Sequence, residues 1–480
     1  MSNCAAANGA VDALSELKAL SKIIQDSISS IEASLASKNT EFPSPYTSIS
    51  VESEAARMQP EVDRACALII SAAYQLINSV RSPRLTLIVV GTLYTLSAAL
   101  GVAAAANVAE VLREAGPNGA HVIEIARASN IDPSKLARVL RLLATNHIFV
   151  EVVPDVFAHN RISSCLDTGK SVKAILDSPE TKHVDTVGSV AGVGHVTDEA
   201  MKSGGYLQEA LFDQKFARSQ EPNETALNIA FDTKLPVWEW YEQKGNEHRR
   251  QRFGIAMEGT KQAVPPNAIL EGFDWKDLNE DAVVVDVGGG IGSQSMTLAQ
   301  NHSHLRFVVQ DRDPVVKDAV QFWDGQLPGA LKSGKVTLQA HDFFAPQPVR
   351  NASVFLLRNI MHDWSDKYCL HILRHLRDAA APNTRLLVVD SLILYACEDD
   401  DSVKGIPGAE RSVPPKPLLP NMGHVATVPY HGDIQMMELL NGKERTLKQM
   451  KELMERTGWN VVQVHQSLAF SAAKVIGVPA

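Results

Sequence analysis

The run from Val283 to Asp311, VVVDVGGGIGSQSMTLAQNHSHLRFVVQD, leaves this chain few folds to choose from. Val283–Val285 is β-branched and wholly apolar, as a short buried strand requires. Asp286 and then Gly288, Gly289, Gly290 and Gly292 break that strand into a tight turn. From Ser293 the apolar spacing turns helical, and a second strand, Phe307–Val309, ends on Gln310 and Asp311. Strand, glycine turn, helix, strand and acid make half of a nucleotide-type βαβ unit. Glycines let backbone approach a ligand closely, and a carboxylate ending the second strand can accept from both hydroxyls of a ribose. So many glycines in one turn are costly in chain entropy, which makes a turn without a ligand the poorer explanation.

Two cofactors suit the plan. A dinucleotide fingerprint is G-x-G-x-x-G; Gly288 and Gly290 match its first two glycines, but Ser293 stands at the third. S-adenosylmethionine carries a ribose and an adenine without a pyrophosphate, so its turn need not cradle phosphate. The form D-V-G-G-G-x-G, with Asp286 two residues ahead of Gly288, resembles the first motif of S-adenosylmethionine-dependent methyltransferases.

Alternation continues beyond this unit. Strands read at Val336–Gln339, Val354–Leu357 and Leu386–Asp390, with a helix at Lys367–Ala380. A helix Thr446–Arg456 precedes strands at Val461–Val464 and near Val475–Val478. Strands alternating with helices predict a doubly wound, mostly parallel α/β sheet, and the short last connection predicts an antiparallel hairpin at its edge. Between them, Cys397–Pro429 holds the acidic run Glu398–Asp401 and then Pro407, Pro414, Pro415, Pro417 and Pro420, and reads as a long irregular loop, either disordered or a lid.

The first part of the chain is helical. Val11, Leu14, Leu17, Leu20, Ile23, Ile24, Ile28, Ile31 and Leu35 form one apolar stripe that a second subunit could cover. A linker with Pro43 and Pro45 runs to about Ser50, and helices follow at Pro60–Val80 and through Leu85–Ala115. The latter has no charge between Arg84 and Glu110, long enough to span a membrane. Its Ala, Gly, Ser and Thr content favours a buried helix pair or a subunit interface instead. Next come a short helix Ile123–Ala128, the cap Asn130–Pro133, a helix Leu136–Thr145 with Leu136, Val139, Leu140 and Leu143 inward, and strands Ile148–Val152 and Val156–Phe157. That is a winged-helix plan. Arg138 and Arg141 would face DNA in a regulator, but a net charge of −9 favours a dimerisation platform. Aromatic residues from Tyr206 to Phe253 are core or the lining of a pocket for a flat substrate. The odd number of scattered cysteines, five, suits a reducing, cytoplasmic compartment, and no signal peptide is legible.

Ligands of such a sheet bind at the carboxyl ends of the strands. Those ends carry the glycine turn, Asp311, Asp342-Phe343, Arg358 to Asp363, and Asp390. Asp342 can accept from a nucleoside amine and Phe343 offers a face to a base. His362, in R-N-I-M-H-D-W-S-D, is a candidate general base. A phenol of pKa about 10 mismatches a histidine of about 6.5 by roughly 5 kcal/mol, and neighbouring carboxylates would narrow that gap. Asp390 and Glu444 are candidates, and Asp363 is assigned to the substrate. His371 and His375 could pair on a metal, but nearby carboxylates to complete a site are missing, so no metal is expected.

D-V-G-G-G-x-G, Asp311, H-D-F-F, H-D-W-S-D and G-K-E-R-T occur in the order found in S-adenosylmethionine-dependent O-methyltransferases of plant phenolic and fungal polyketide type. L-R-L-L, E-T-A-L-N-I-A-F and W-E-W are similar to that family's N-terminal half. The resemblance spans roughly Pro60 to the C-terminus. It implies a Rossmann-like methyltransferase domain behind a winged-helix dimerisation domain, and a homodimer. It implies His362 as base with Asp390 and Glu444 orienting it, and Gly288, Gly290, Asp311, Asp342, Phe343 and Arg358 around the cofactor. The acceptor would be a small aromatic hydroxyl compound; neither nucleic acid nor membrane is an expected partner. Plant members typically have Lys where this chain has Arg358 and Glu where it has Asp390, and the loop 397–429 exceeds the family's usual connection. The expected organisation is a helix and linker over 1–50, the winged-helix domain over 51–180, and connecting helices plus catalytic domain over 181–480. A nicotinamide-dependent oxidoreductase and a ligand-sensing winged-helix regulator are the alternatives.

Overall fold

The structure is a computed structural model that describes residues 13–260, 267–398, 403–410, 413–466 and 472–480. Val11 of the apolar stripe and residues 399–401 of the acidic run lie outside the described residues. The chain divides into two compact units. One takes residues up to 205, the segment 238–263 and the stretch 414–425; the other takes 206–237, 264–413 and 426 onward. The sequence reading places a linear division near residue 180.

In the first unit the helix Ala13–Lys38 packs part of its apolar stripe against its own chain, while Leu14 and Ile28 stay exposed. Leu20, fully buried, packs with Ala72 of the helix Pro60–Val80 and with Leu418. Leu418 belongs to the long loop, whose 414–425 stretch is therefore docked rather than loose. Gln75 Nε2 donates to the Pro417 carbonyl at 3.0 Å, and His424 stacks on Tyr74 with ring centroids 3.7 Å apart. The loop ends at Ala426; Pro429 lies in the first turn of the next helix, Thr427–Leu440, where proline is tolerated.

The winged-helix plan is present. β1 (Ala120–His121), β2 (Val150–Val153) and β3 (Val156–Ala158) form a small sheet in the order β1-β3-β2. Asp132 caps the helix Pro133–Thr145 by accepting from Lys135 N at 3.1 Å, and Leu136, Leu140 and Leu143 are fully buried. Val139 is only partly buried and Ala137 takes an inward place. Arg141 is held by Glu151 and Asp155 of the wing, both at 2.8 Å.

The uncharged segment, read as one helical stretch, is two helices, and of the two alternatives given for it, buried pair or subunit interface, its first helix does not fit the buried one. The segment breaks at Asn107, in a left-handed conformation at φ 57, into helices Pro83–Ala105 and Val108–Ala115. The first of these is not a buried helix within the chain. Ala99, Ala103 and Ala104 join the core, but Leu87 is 75% and Ile88 62% exposed. By length and composition this helix could cross a membrane. Its apolar face is open in the single chain.

The second unit holds a seven-stranded sheet ordered β6-β5-β4-β7-β8-β10-β9. β4 (Val283–Val287), β5 (Arg306–Asp311), β6 (Val336–Ala340), β7 (Val354–Arg358) and β8 (Arg385–Ser391) are parallel. β10 (Ala472–Pro479) is antiparallel to both β8 and the edge strand β9 (Trp459–Gln466). The apolar strands are buried on both faces: Val284, Leu356 and Leu387 have no exposed surface. Pro407 accepts from Val464 N at 2.9 Å, so part of the long loop covers the sheet edge.

The fully buried Leu136 leaves little room for repacking. Leu136→Ala is expected to cost about 3 kcal/mol by chemical denaturation and lower the melting temperature of the winged-helix unit.

Candidate active site

Strand order reverses between β4 and β7, which are paired in parallel through Val285 and Phe355. Their carboxyl ends flank one crevice, the expected place for a ligand. The turn after β4 is built from inside. Asp286, 2% exposed, accepts from Ser295 Oγ at 2.6 Å. A Cβ on Gly289 would fall 2.6 Å from the Asp286 carboxyl carbon, so the residue there has to be glycine. Gly288 and Gly290 have φ of 69 and 62, a region unfavourable to other residues.

The crevice has the parts that a nucleoside needs. A Cβ built on Gly290 meets nothing within 4 Å, so the turn faces open space. Gly290 N and Arg312 N each donate to a different oxygen of Asp311 at 2.8 Å. Burial pushes the Asp311 carboxyl up while those backbone bonds pull it down. Each oxygen of an ionised carboxylate keeps a further lone pair for a ribose hydroxyl. Asp342 is exposed after β6 and accepts from Phe344 N at 3.0 Å. Phe343 lies edge-on to Phe344 and Trp364 at 4.9 and 5.9 Å between centroids, and lies 3.4 Å from the Cβ position of Gly288. Arg358 ends β7. These residues fit S-adenosylmethionine, which needs a ribose acceptor, an apolar base face and a phosphate-free turn.

Beyond β7 the chain turns through Met361–Asp363. There His362 Nδ1 donates to Glu444 Oε1 at 2.8 Å, joining residues 82 apart in sequence. Its Nε2 lies 3.4 Å from Asp363 Oδ1, and the side chain is 19% exposed. Asp390 does not bond the ring: it is 3% exposed and both its oxygens lack a hydrogen-bond partner. The side chain is one carbon shorter than Glu, and its influence on His362 is by charge. Burial alone would depress the imidazole, yet Asp363, the Glu444 bond and Asp390 outweigh it and raise His362 to about 10. Burial raises Asp390 to about 7 and Asp363 to about 6, against the pull of His362. His362, Asp363 and Asp390 each shift the others' protonation through their charges.

Glu444 is carried to His362 by the G-K-E-R-T segment. Lys443 N donates to the His362 carbonyl at 2.9 Å, and Glu444 N to Asp433 Oδ1 at 2.8 Å. A Cβ on Gly442 would fall 2.2 Å from the His362 carbonyl oxygen, so this close crossing requires glycine. Arg445 is 1% exposed and bonds the carbonyls of Met361 and Trp364. Its sequence signal was only its place in G-K-E-R-T, since arginines are seldom this buried. His371 and His375 are used separately: His375 Nε2 bonds the Phe344 carbonyl at 3.0 Å, and His371 lines an open cleft of about 600 Å³ that does not include His362.

A family model described as the O-methyltransferase domain matches residues 214–407, and one described as the O-methyltransferase dimerisation domain matches 91–169. An O-methyltransferase of Armillaria gallica is 43% identical over 452 residues, 94% of this chain and 95% of its own. A 4-O-methyltransferase of Phanerochaete chrysosporium is 38% identical over 454 residues, 94% of this chain and 96% of its own. Among solved structures, mitomycin 7-O-methyltransferase aligns with a TM-score of 0.62 at 21% identity, over 86% of this chain and 99% of that one; the likeness shows the fold.

The Glu444 bond favours the charged ring, so Glu444→Gln is expected to lower the His362 pKa, read by NMR titration of its ring protons. A histidine raised in the folded state adds stability that is fully present below its unfolded pKa of about 6.5 and is lost as pH rises through about 10. The stability lost in Glu444→Gln should therefore be larger at pH 6 than at pH 10, measured by denaturant unfolding.

Proposed function

This chain belongs to the S-adenosylmethionine-dependent O-methyltransferases, and on that premise we propose that it methylates a hydroxyl of a small aromatic metabolite with His362 as general base. Membership removes the oxidoreductase and regulator alternatives. The observation that carries the base assignment is the Glu444–His362 bond of 2.8 Å beside the glycine turn's neighbouring strand end.

S-adenosylmethionine supplies an electrophilic methyl group when bound. Asp311, Phe343 and the turn at Gly288 and Gly290 hold its nucleoside, with Asp342 and Arg358 at the adjoining strand ends. Glu444 fixes the ring of His362 so that Nε2 is turned toward the acceptor. Asp363, next to Nε2, accepts a hydrogen bond from the acceptor and stabilises the imidazolium that forms. A ring held near 10 matches a phenol of about 10, so proton transfer is close to balanced. The same match leaves the resting ring protonated at neutral pH. Activity therefore depends on the cluster first losing a proton.

The exposed apolar face of Pro83–Ala105, partly within the dimerisation match, supports a homodimer built on it. A cytoplasmic location fits the four described cysteines, all unpaired.

His362→Ala is expected to lose at least about 10² in turnover while S-adenosylhomocysteine still binds near one per subunit by calorimetry. In the unmodified enzyme kcat should climb with pH from 7 towards 10 on a phenolic acceptor; a flat profile would count against His362 as the base.

A further inference from the structure

We propose that Arg445 is the positioning residue of the catalytic pair: its planar fork holds the arc that carries His362, and its charge offsets the carboxylates gathered there. The proposal rests on His362 being the base.

The geometry is specific to a guanidinium. Nη1 donates to the Met361 carbonyl at 2.6 Å and Nη2 to the Trp364 carbonyl at 2.8 Å. Those two carbonyls bracket His362 and Asp363, so one side chain holds both ends of the functional arc. Nε and Nη2 reach Asp366 Oδ1 at 3.0 and 2.8 Å, anchoring the arc to the start of the helix Asp366–Ala379. Nη1 also donates to the Lys443 carbonyl at 3.3 Å, two residues before it. Backbone pairing of Arg445 with Leu392 and Ile393 ties the same segment to the end of β8, just past Asp390. A lysine has one nitrogen and no planar fork, and could not span these acceptors.

The charge argument is separate. His362 and Asp363 come from the arc, Asp366 and Cys369 from the helix that follows, Asp390 from β8, Asp433 from the helix Thr427–Leu440, and Lys443 and Glu444 from Arg445's own segment. Lys443 is paired with Asp366 at 2.8 Å. Arg445, 1% exposed, is a permanent cation buried among these acids, and after His362 it draws the Asp390 carboxyl down against its burial. Without it the acids would hold the imidazolium still more tightly.

Two substitutions separate the fork from the charge. Arg445→Lys keeps the charge and loses the fork; kcat should fall at least about tenfold, with the pH limb in place and S-adenosylhomocysteine affinity within twofold. Arg445→Met loses both, and its limb should also move to higher pH by about one unit. If Arg445→Met fails to fold, judged by melting and S-adenosylhomocysteine binding, Asp366→Asn takes its place: it removes one acid of the group while leaving an amide oxygen for Arg445 to donate to, and its limb should move to lower pH. Normal kcat in Arg445→Lys overturns the proposal, as does a limb that stays put or moves the other way in either remaining variant. Should His362→Ala retain turnover, the base assignment fails instead, whatever the Arg445 variants do.

Discussion

The parallel pairing of β4 with β7 is the constraint on which the site depends. It places two strands from different halves of the sheet side by side, so that the glycine turn leaving one and the His362 arc leaving the other open onto the same crevice. Because the strands are buried on both faces, their register is held by apolar packing. Loops that are themselves irregular thereby acquire a rigid base. Gly288 shows how close the two approach: a Cβ there would strike the Ile360 side chain at 2.5 Å.

Around His362 the structure concentrates like charge in a place poor in water. Asp390 has neither oxygen bonded, and Glu444 leaves Oε2 unpartnered. Buried acceptors without donors cost stability, and a carboxyl raised to about 7 costs it at every pH above its unfolded value near 4. Such costs are typical of functional sites, where a group is held in the state that the chemistry needs. On the proposed assignment, the gain is a histidine raised to about 10, matched to a phenol. The raised His362 offsets part of the cost below neutral pH, and the buried Arg445 offsets another part.

The periodic elements were legible because each follows from local chemistry. Alternating strands and helices, the Asp132 cap and the apolar Leu136, Leu140 and Leu143 need only neighbours a few residues away. The expected strand ends also carried Asp311, Phe343, His362 and Asp390 to one edge. What covers the helix Ala13–Lys38 was not legible, because its partner Leu418 lies some 400 residues along the chain. The docking of 414–425 was hidden by its prolines, which speak against regular structure and say nothing about packing. The shorter side chain of Asp390 already ranks it below Glu444 as a partner of His362, and in the structure Glu444 bonds the ring while Asp390 does not.

By itself, the sequence determined the class of sheet, the glycine turn and the chemical identity of every group at the strand ends, because these depend on residue type and short spacing. Tertiary structure decided that Glu444 bonds His362 at 2.8 Å while neither Asp390 oxygen finds a partner, and that Arg445 is buried against the Met361 and Trp364 carbonyls. Those outcomes depend on distances of a few tenths of an ångström between segments remote in sequence, and spacing along the chain carries no information about them.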